Sequence, residues 1–102
     1  MTSDDLVWLQ DWYRRQCDGT WEHMHGIAFD TIDNPGWRVI IDLTGTSLQD
    51  AAMSPLRSDD GPDEWLVVEV KESKFVGHGD PSKLTRIIAA FRAWAESHEP
   101  RN

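Results

Sequence analysis

Apolar residues recur along the chain at two different spacings. Near the start, Leu6, Leu9, Trp12 or Tyr13, and Gln16 or Cys17 fall at helical intervals, with Gln10, Asp11, Arg14 and Arg15 on the other side. Thr2 or Ser3 can cap this helix, Asp4 and Asp5 carry the favourable sign for its first turn, and Gly19 can stop it. The spacing predicts a helix over 3–17. From Trp21 to Ile32 the period falls to two: His23, His25, Ile27, Phe29 and Thr31 line one face, and Glu22, Met24, Ala28 and Asp30 the other. In "DNPGW", Pro35 presets the first central position of a type II turn and Gly36 supplies the positive φ of the second. Trp37, Val39, Ile41 and Leu43 then alternate with Arg38, Ile40 and Asp42, which completes a hairpin.

Residues 44–64 read as a connection. Ser47 can cap a single helical turn that runs through Met53 and is stopped by Pro55, and "SDDGPDE" is an acidic, mobile loop. In a third strand Leu66, Val68 and Val70 alternate with Trp65, Val67 and Glu69. A tight turn near Glu72 and Ser73 leads to a short fourth strand, "KFVGHG". Asp80 and Pro81 are a start signal for a helix over 81–97. Its apolar stripe is Leu84, Ile87, Ile88, Phe91, Trp94 and Ala95, while Lys83, Arg86, Arg92 and Glu96 face water; the tail "HEPRN" should fray.

The expected fold is one α+β domain over residues 1–102, ordered α-β-β-β-β-α, with no internal repeat. Short connections favour a four-stranded antiparallel meander, and the N- and C-terminal helices suffice to cover one of its faces. The other face stays open. It should be partly apolar through Ile40, Trp65 and Val67, and negatively charged through Asp30, Asp42 and Glu69, which makes it a docking surface.

Charge narrows the partners. Eighteen acidic residues against ten basic ones give the 102-residue chain a formal charge of −8. That field repels phosphate backbones and anionic lipid, so neither nucleic acid nor a membrane is an expected partner, and it speeds capture of a basic protein. Six Trp are present; any indole left outside the core becomes a candidate contact residue. One Cys cannot form an internal disulfide, no charged leader opens the chain, and no apolar run nears the ~20 residues that span a bilayer. A reducing cytoplasm is the expected location.

"CDGTWEHMHGIAFDTIDNPGW", residues 17–37, gathers Cys17, Glu22, His23, His25, Asp30 and Asp33, the residue types of metal sites and acid–base catalysis. The spacing C-x5-H-x-H matches no common zinc arrangement. On a strand His23 and His25 share a face, but with Ile27 and Phe29, which suits core or rim histidines. Cys17 is followed by Asp18, which works against a thiolate, and "CDGTWEH" lacks the Arg that a sulfurtransferase-like cradle needs. No G-x-S-x-G, P-loop or G-x-G-x-x-G is present. No enzymatic activity, metal or cofactor is therefore expected, and Glu22 is read as holding a backbone amide or an Arg near the end of the first helix. The rival reading is a small metal-binding protein or thiol enzyme centred on Cys17, Glu22, His23 and His25. It requires those side chains to converge on one pocket.

"WLQDWYRRQCDGTWEHMHGIAFDTIDNPGWRVIIDLTGT", with the Trp65 strand and the "GDPSKL" helix after it, resembles the immunity protein 53 family over about residues 6–96. The family's Trp-Glu and Gly-Trp pairs fall on Trp21–Glu22 and Gly36–Trp37, with His23 completing the first motif. Met24 and His25 depart from the family pattern of a small polar residue and an aromatic. The resemblance implies an α+β immunity protein of a bacterial polymorphic toxin system, encoded beside a secreted toxin and neutralising it by binding. The expected contact surface is the open sheet face, with Asp30, Arg38, Asp42, Trp65 and Glu69. The acidic loop Asp59, Asp60, Asp63 and Glu64 extends it.

Overall fold

Helix α1 (Thr2–Gln16) opens a computed structural model that describes residues 2–98, with Thr2 and Ser3 described by backbone alone. A one-turn helix α2 (Trp21–Met24) precedes β1 (Ile27–Ile32) and β2 (Gly36–Asp42). Strands β3 (Leu56–Asp59), β4 (Trp65–Lys71) and β5 (Lys74–Gly79) and helix α3 (Leu84–His98) follow. The side chains of Thr2 and Ser3, expected as caps, and residues 99–102 of the expected frayed tail lie outside the described part.

The class is α+β with helices at both ends, but the sheet has five strands rather than four, all antiparallel, in the order β1-β2-β5-β4-β3. The added strand, β3, lies inside the expected connection. It is short and exposed along its length, so no apolar alternation announces it, and it pairs with β4 from Leu56↔Val68 to Asp59↔Trp65. The expected acidic loop is the tip of that hairpin, closed by Asp60 N–H donating to Glu64 O at 2.7 Å. Nor is the sheet a meander. The chain leaves β2, crosses to the far rim, and returns so that β5 pairs with both β2 and β4.

Burial explains the central place of β5. Val39, Ile41, Leu66, Val68 and Phe75 form one apolar floor, and Ile87 and Phe91 of α3 pack down on it with Leu9 and Trp12 of α1. Gly77 lets α3 approach: a Cβ there would stand 2.5 Å from Ile87 Cγ2. Phe91 is the hub, edge-on to Trp8, Trp12 and Phe75 with centroids 4.9–5.8 Å away. Each such aromatic contact contributes about 1 kcal/mol beyond its buried area.

Several local expectations shift. In α1 the buried side chains are Leu9 and Trp12, flanked by half-buried Trp8, while Leu6 is exposed. An indole offers Phe91 more surface than a leucine does, and Arg92 completes the site by lying over the Trp8 ring and bonding Asp5 at 3.1 Å. Residues 44–51 make consecutive turns instead of a helical turn, and they bury Leu48 completely; the Trp94 indole N–H pins the connection through Ala52 O at 2.9 Å. Gly36 has no positive φ; it opens β2, and its hydrogen side faces Gly79 O so closely that a Cβ would overlap it, and would crowd the Trp65 ring at 3.2 Å. The β4–β5 turn falls where expected, with Glu72 and Ser73 both left-handed (φ 54° and 60°).

Helix α3 begins three residues later than the Asp80–Pro81 signal suggests. Asp80 organises the turn before it, and Lys83, expected in water, is buried. The carboxylate accepts from Ser82 N–H and Oγ, from Trp65 N–H at 2.9 Å, and from Lys83 Nζ at 2.8 Å; the same ammonium reaches Glu64 at 3.0 Å. Burial opposes the charge on Asp80, yet the hydrogen bonds from Lys83 and Ser82 outweigh it and hold the carboxyl well below the usual range.

Candidate functional site

Paired residues of an antiparallel ladder point to the same side. The register therefore sorts the sheet into two faces. One carries the floor under α3. The other carries Asp30, Arg38, His78 and Val67 in one row across the strands, and Ala28, Ile40, Val76 and Glu69 in the next. On this second face Ile40, Val67, Val76 and Trp65 are half-buried and none is buried, as expected for a sheet with helices on a single side.

Its charges are matched rather than uniformly acidic. The Arg38 guanidinium grips Asp30 through two nitrogens, with Nε 3.0 Å from Oδ1, and holds that carboxyl below its ordinary range. Asp42 accepts from Thr44 N–H at 3.0 Å and pairs with His25 Nδ1 at 2.7 Å. Burial raises its pKa, the Thr44 and His25 bonds lower it, and the bonds prevail. Lys71 stands 3.7 Å from Glu69. The expected negative face is thus corrected by the register, which interleaves Arg38, Arg57, Lys71 and Lys74 with the acids. His78 lies among them, its pKa lowered by burial and then by Arg38.

Trp65 is the large aromatic side chain of this face. Asp80 fixes its backbone from below and Gly36 makes room for its ring. Beside it, a hollow of about 530 Å³ is lined by Val67, Arg57, Asp59, Pro62 and Asn34. Asp59, Asp60 and Asp63 cluster at the hairpin tip on the same end of the sheet, whereas Glu64 turns back to Lys83. So the structure puts Arg38, Trp65, Glu69, Asp30 and Asp42 on one face, with Asp30 and Arg38 in the row next to Trp65 and Asp42 at the opposite end, places Asp59, Asp60 and Asp63 at the rim, and gives Glu64 an intramolecular partner.

The residues of the rival centre do different things. Glu22 is a clasp: Oε1 accepts from Asp18 N–H at 2.9 Å and Oε2 from Gly19 N–H at 2.8 Å. Asp18 reciprocates, its Oδ1 accepting from Thr20 and Trp21 N–H at 2.9 Å, which starts α2. Trp21, buried, stacks edge-on to Trp12 and donates its indole N–H to Thr44 O at 2.8 Å. His23 is exposed on α2, so it shares no strand face with His25. The Cys17 thiol donates to Tyr13 O at 3.3 Å. No three His, Cys, Asp or Glu side chains among the described residues are grouped to hold a metal ion. No helix among them is long and apolar enough to cross a membrane.

The His25–Asp42 pair and the Glu64–Lys83 contact escape sequence reading because their partners meet only through tertiary packing, whereas Asp80 and Lys83 are three residues apart. For Glu22 a signal did exist: Asp18 followed four residues later by Glu22 approximates a capping box. Trp37, the second half of the Gly-Trp motif, lies on the helix-covered side and donates its indole N–H to Pro81 O at 3.0 Å, tying β2 to the entry of α3. Both motif pairs therefore sit at junctions.

The model of one protein family, Immunity protein 53, matches residues 6–96, and the chain belongs to that family. Neither the curated proteins nor the solved structures contain a match.

Proposed function

We propose that this immunity protein 53 family member binds and neutralises a cognate, basic toxin domain in the cytoplasm of the cell that makes it, without catalysis of its own. The observation that carries the reading is the sheet face left bare by the helices, with half-buried Ile40, Val67 and Val76 beside the braced Trp65. Such a face combines an apolar centre, a preorganised indole and charge-matched polar groups, the composition of a protein-binding hot spot. Asp30 and Arg38 stand in the row of side chains next to Trp65, Glu69 lies one row further on and Asp42 at the far end of the face, and together they supply register. The tip acids Asp59, Asp60 and Asp63 supply the charge that steers a basic partner.

Co-expression with the product of the adjacent toxin gene tests this directly: growth is rescued and the two proteins co-purify. Trp65→Ala then raises the off-rate roughly thirtyfold, equivalent to ~2 kcal/mol. Neutralising Asp59, Asp60 and Asp63 to Asn mainly slows association and flattens its salt dependence. Association that stays unchanged across salt in the neutralised variant removes the steering role, and failure of both rescue and co-purification removes the function.

A further inference from the structure

Among the described residues, five exposed large apolar side chains lie between α1 and β1, and a sixth, Leu56, is on β3 at the far rim. Leu6, Val7 and Tyr13 on α1, Met24 on α2 and Phe29 on β1 are all exposed, with Phe29 at 38% and Tyr13 at 40%. On α1, Leu6, Gln10 and Tyr13 follow one another at helical spacing just beside buried Leu9 and Trp12 and half-buried Trp8, so the apolar surface of the helix is wider than the core covers. Between that excess and β1 runs a groove of about 310 Å³ lined by Leu9, Gln10, Tyr13, Gly26 and Ile27, none of them charged.

The groove ends at an unprotected sheet rim. Rim strands are ordinarily blunted by Lys, Pro, a bulge or shortness. Strand β3 is short and carries Arg57 and Asp59; β1, "IAFDTI", is longer and has no cation or proline. Its single acid, Asp30, points to the open face and is held by Arg38. Asp42 N–H donates to Gly26 O, so by antiparallel alternation Gly26, Ala28 and Asp30 turn their backbone groups to β2. Ile27, Phe29 and Thr31 turn theirs outward, and their side chains lie on the groove side.

We infer that β1 pairs with β1 of a second copy, antiparallel about a two-fold axis at Phe29, so that the sheet continues through a homodimer. In this register outward backbone groups meet outward groups: Phe29 stands opposite Phe29 of the second copy, and Ile27 opposite Thr31. Asp30 stands opposite Ala28, so no carboxylate faces another; centring the axis on Asp30 would oppose the two acids and present inward-turned amides. A two-fold normal to the sheet keeps both α1 helices on the same side, where Leu6 and Tyr13 of each copy flank the Phe29 pair. Charge is thus matched locally, while the −8 carried by each chain opposes approach at long range. The dimer tightens as salt rises, the reverse of what steering gives for a basic toxin.

Sedimentation of the full chain over a concentration series, with reductant present to exclude a Cys17 disulfide, tests the pairing. The expected result is a monomer–dimer equilibrium that shifts to dimer with added salt. Phe29→Asp gives a monomer whose circular dichroism and thermal unfolding match the parent. Ala28 is exposed, so its variants fold: Ala28→Lys tightens the dimer about fivefold by facing Asp30 of the second copy, and Ala28→Glu weakens it comparably. A monomer at every concentration and salt, or a dimer indifferent to Phe29→Asp or to both Ala28 variants, overturns the inference. Toxin rescue by the Phe29→Asp monomer keeps this outcome separate from the proposed function.

Discussion

Ile40 and Ile41 are adjacent in the chain and lie in opposite environments: Ile41 is sealed under the helices, and Ile40 is half-buried on the bare face. The same contrast holds for the two faces as wholes. The covered strand residues exclude charge and include two glycines, Gly77, which lets α3 close in, and Gly79, which makes room for Lys83. The bare face interleaves acids with Arg and Lys and keeps its apolar groups at the surface. One strand alternation therefore specifies two environments, cohesion on one side and, in the proposed function, recognition on the other.

The largest effect that can break this contrast is a paired truncation. Ile41→Ala should cost about 2–5 kcal/mol in urea unfolding, and Ile40→Ala about 1 kcal/mol or less. Equal costs would mean that the bare face is as structural as the covered one.

A second variant probes the brace that joins the faces. Folded Asp80 holds its carboxyl below the unfolded value of about 4, so its stabilisation is complete above that pH. As pH falls below it, the unfolded chain takes up a proton that folded Asp80 refuses, and stability drains away. Asp80→Asn should lower Tm at neutral pH and flatten the acid-side fall of Tm, both read from thermal melts between neutrality and about pH 2. An unchanged acid limb would show that the buried pair with Lys83 contributes nothing to folding.

The smallest effect lies at the β4–β5 turn, away from both faces. Replacing Glu72–Ser73 by Asn-Gly suits two left-handed positions and should add about 1 kcal/mol of stability with no change in toxin binding. A change in binding would extend the recognition surface to that end of the sheet.

Much of the frame was legible from local pattern. The stripe from Leu84 to Ala95 is the one that α3 buries, and the alternations around Val39 and Val68 assign both faces correctly. What escaped depends on distance or on competing periods. His23, His25 and Ile27 fit a strand by spacing, but Asp18 and Glu22 win locally by satisfying four amides around the start of α2. Strand β3 has no apolar rhythm because its partner, β4, supplies the reason to extend. Lys83 looks like a solvent residue until Asp80 and Glu64 surround it. At the candidate site, Trp65 and its neighbours could be placed on one face from alternation alone; their pairing with Arg38 and His25 could not, since it is fixed by register between strands.

The strand in the middle of the sheet, β5, is also the last of the described strands to leave the ribosome. Until residues 74–79 emerge, β2 and β4 share no ladder and the growing chain holds two unjoined hairpins. Chains that stop short of residue 74 thus lack any joined platform on which the proposed binding face could form.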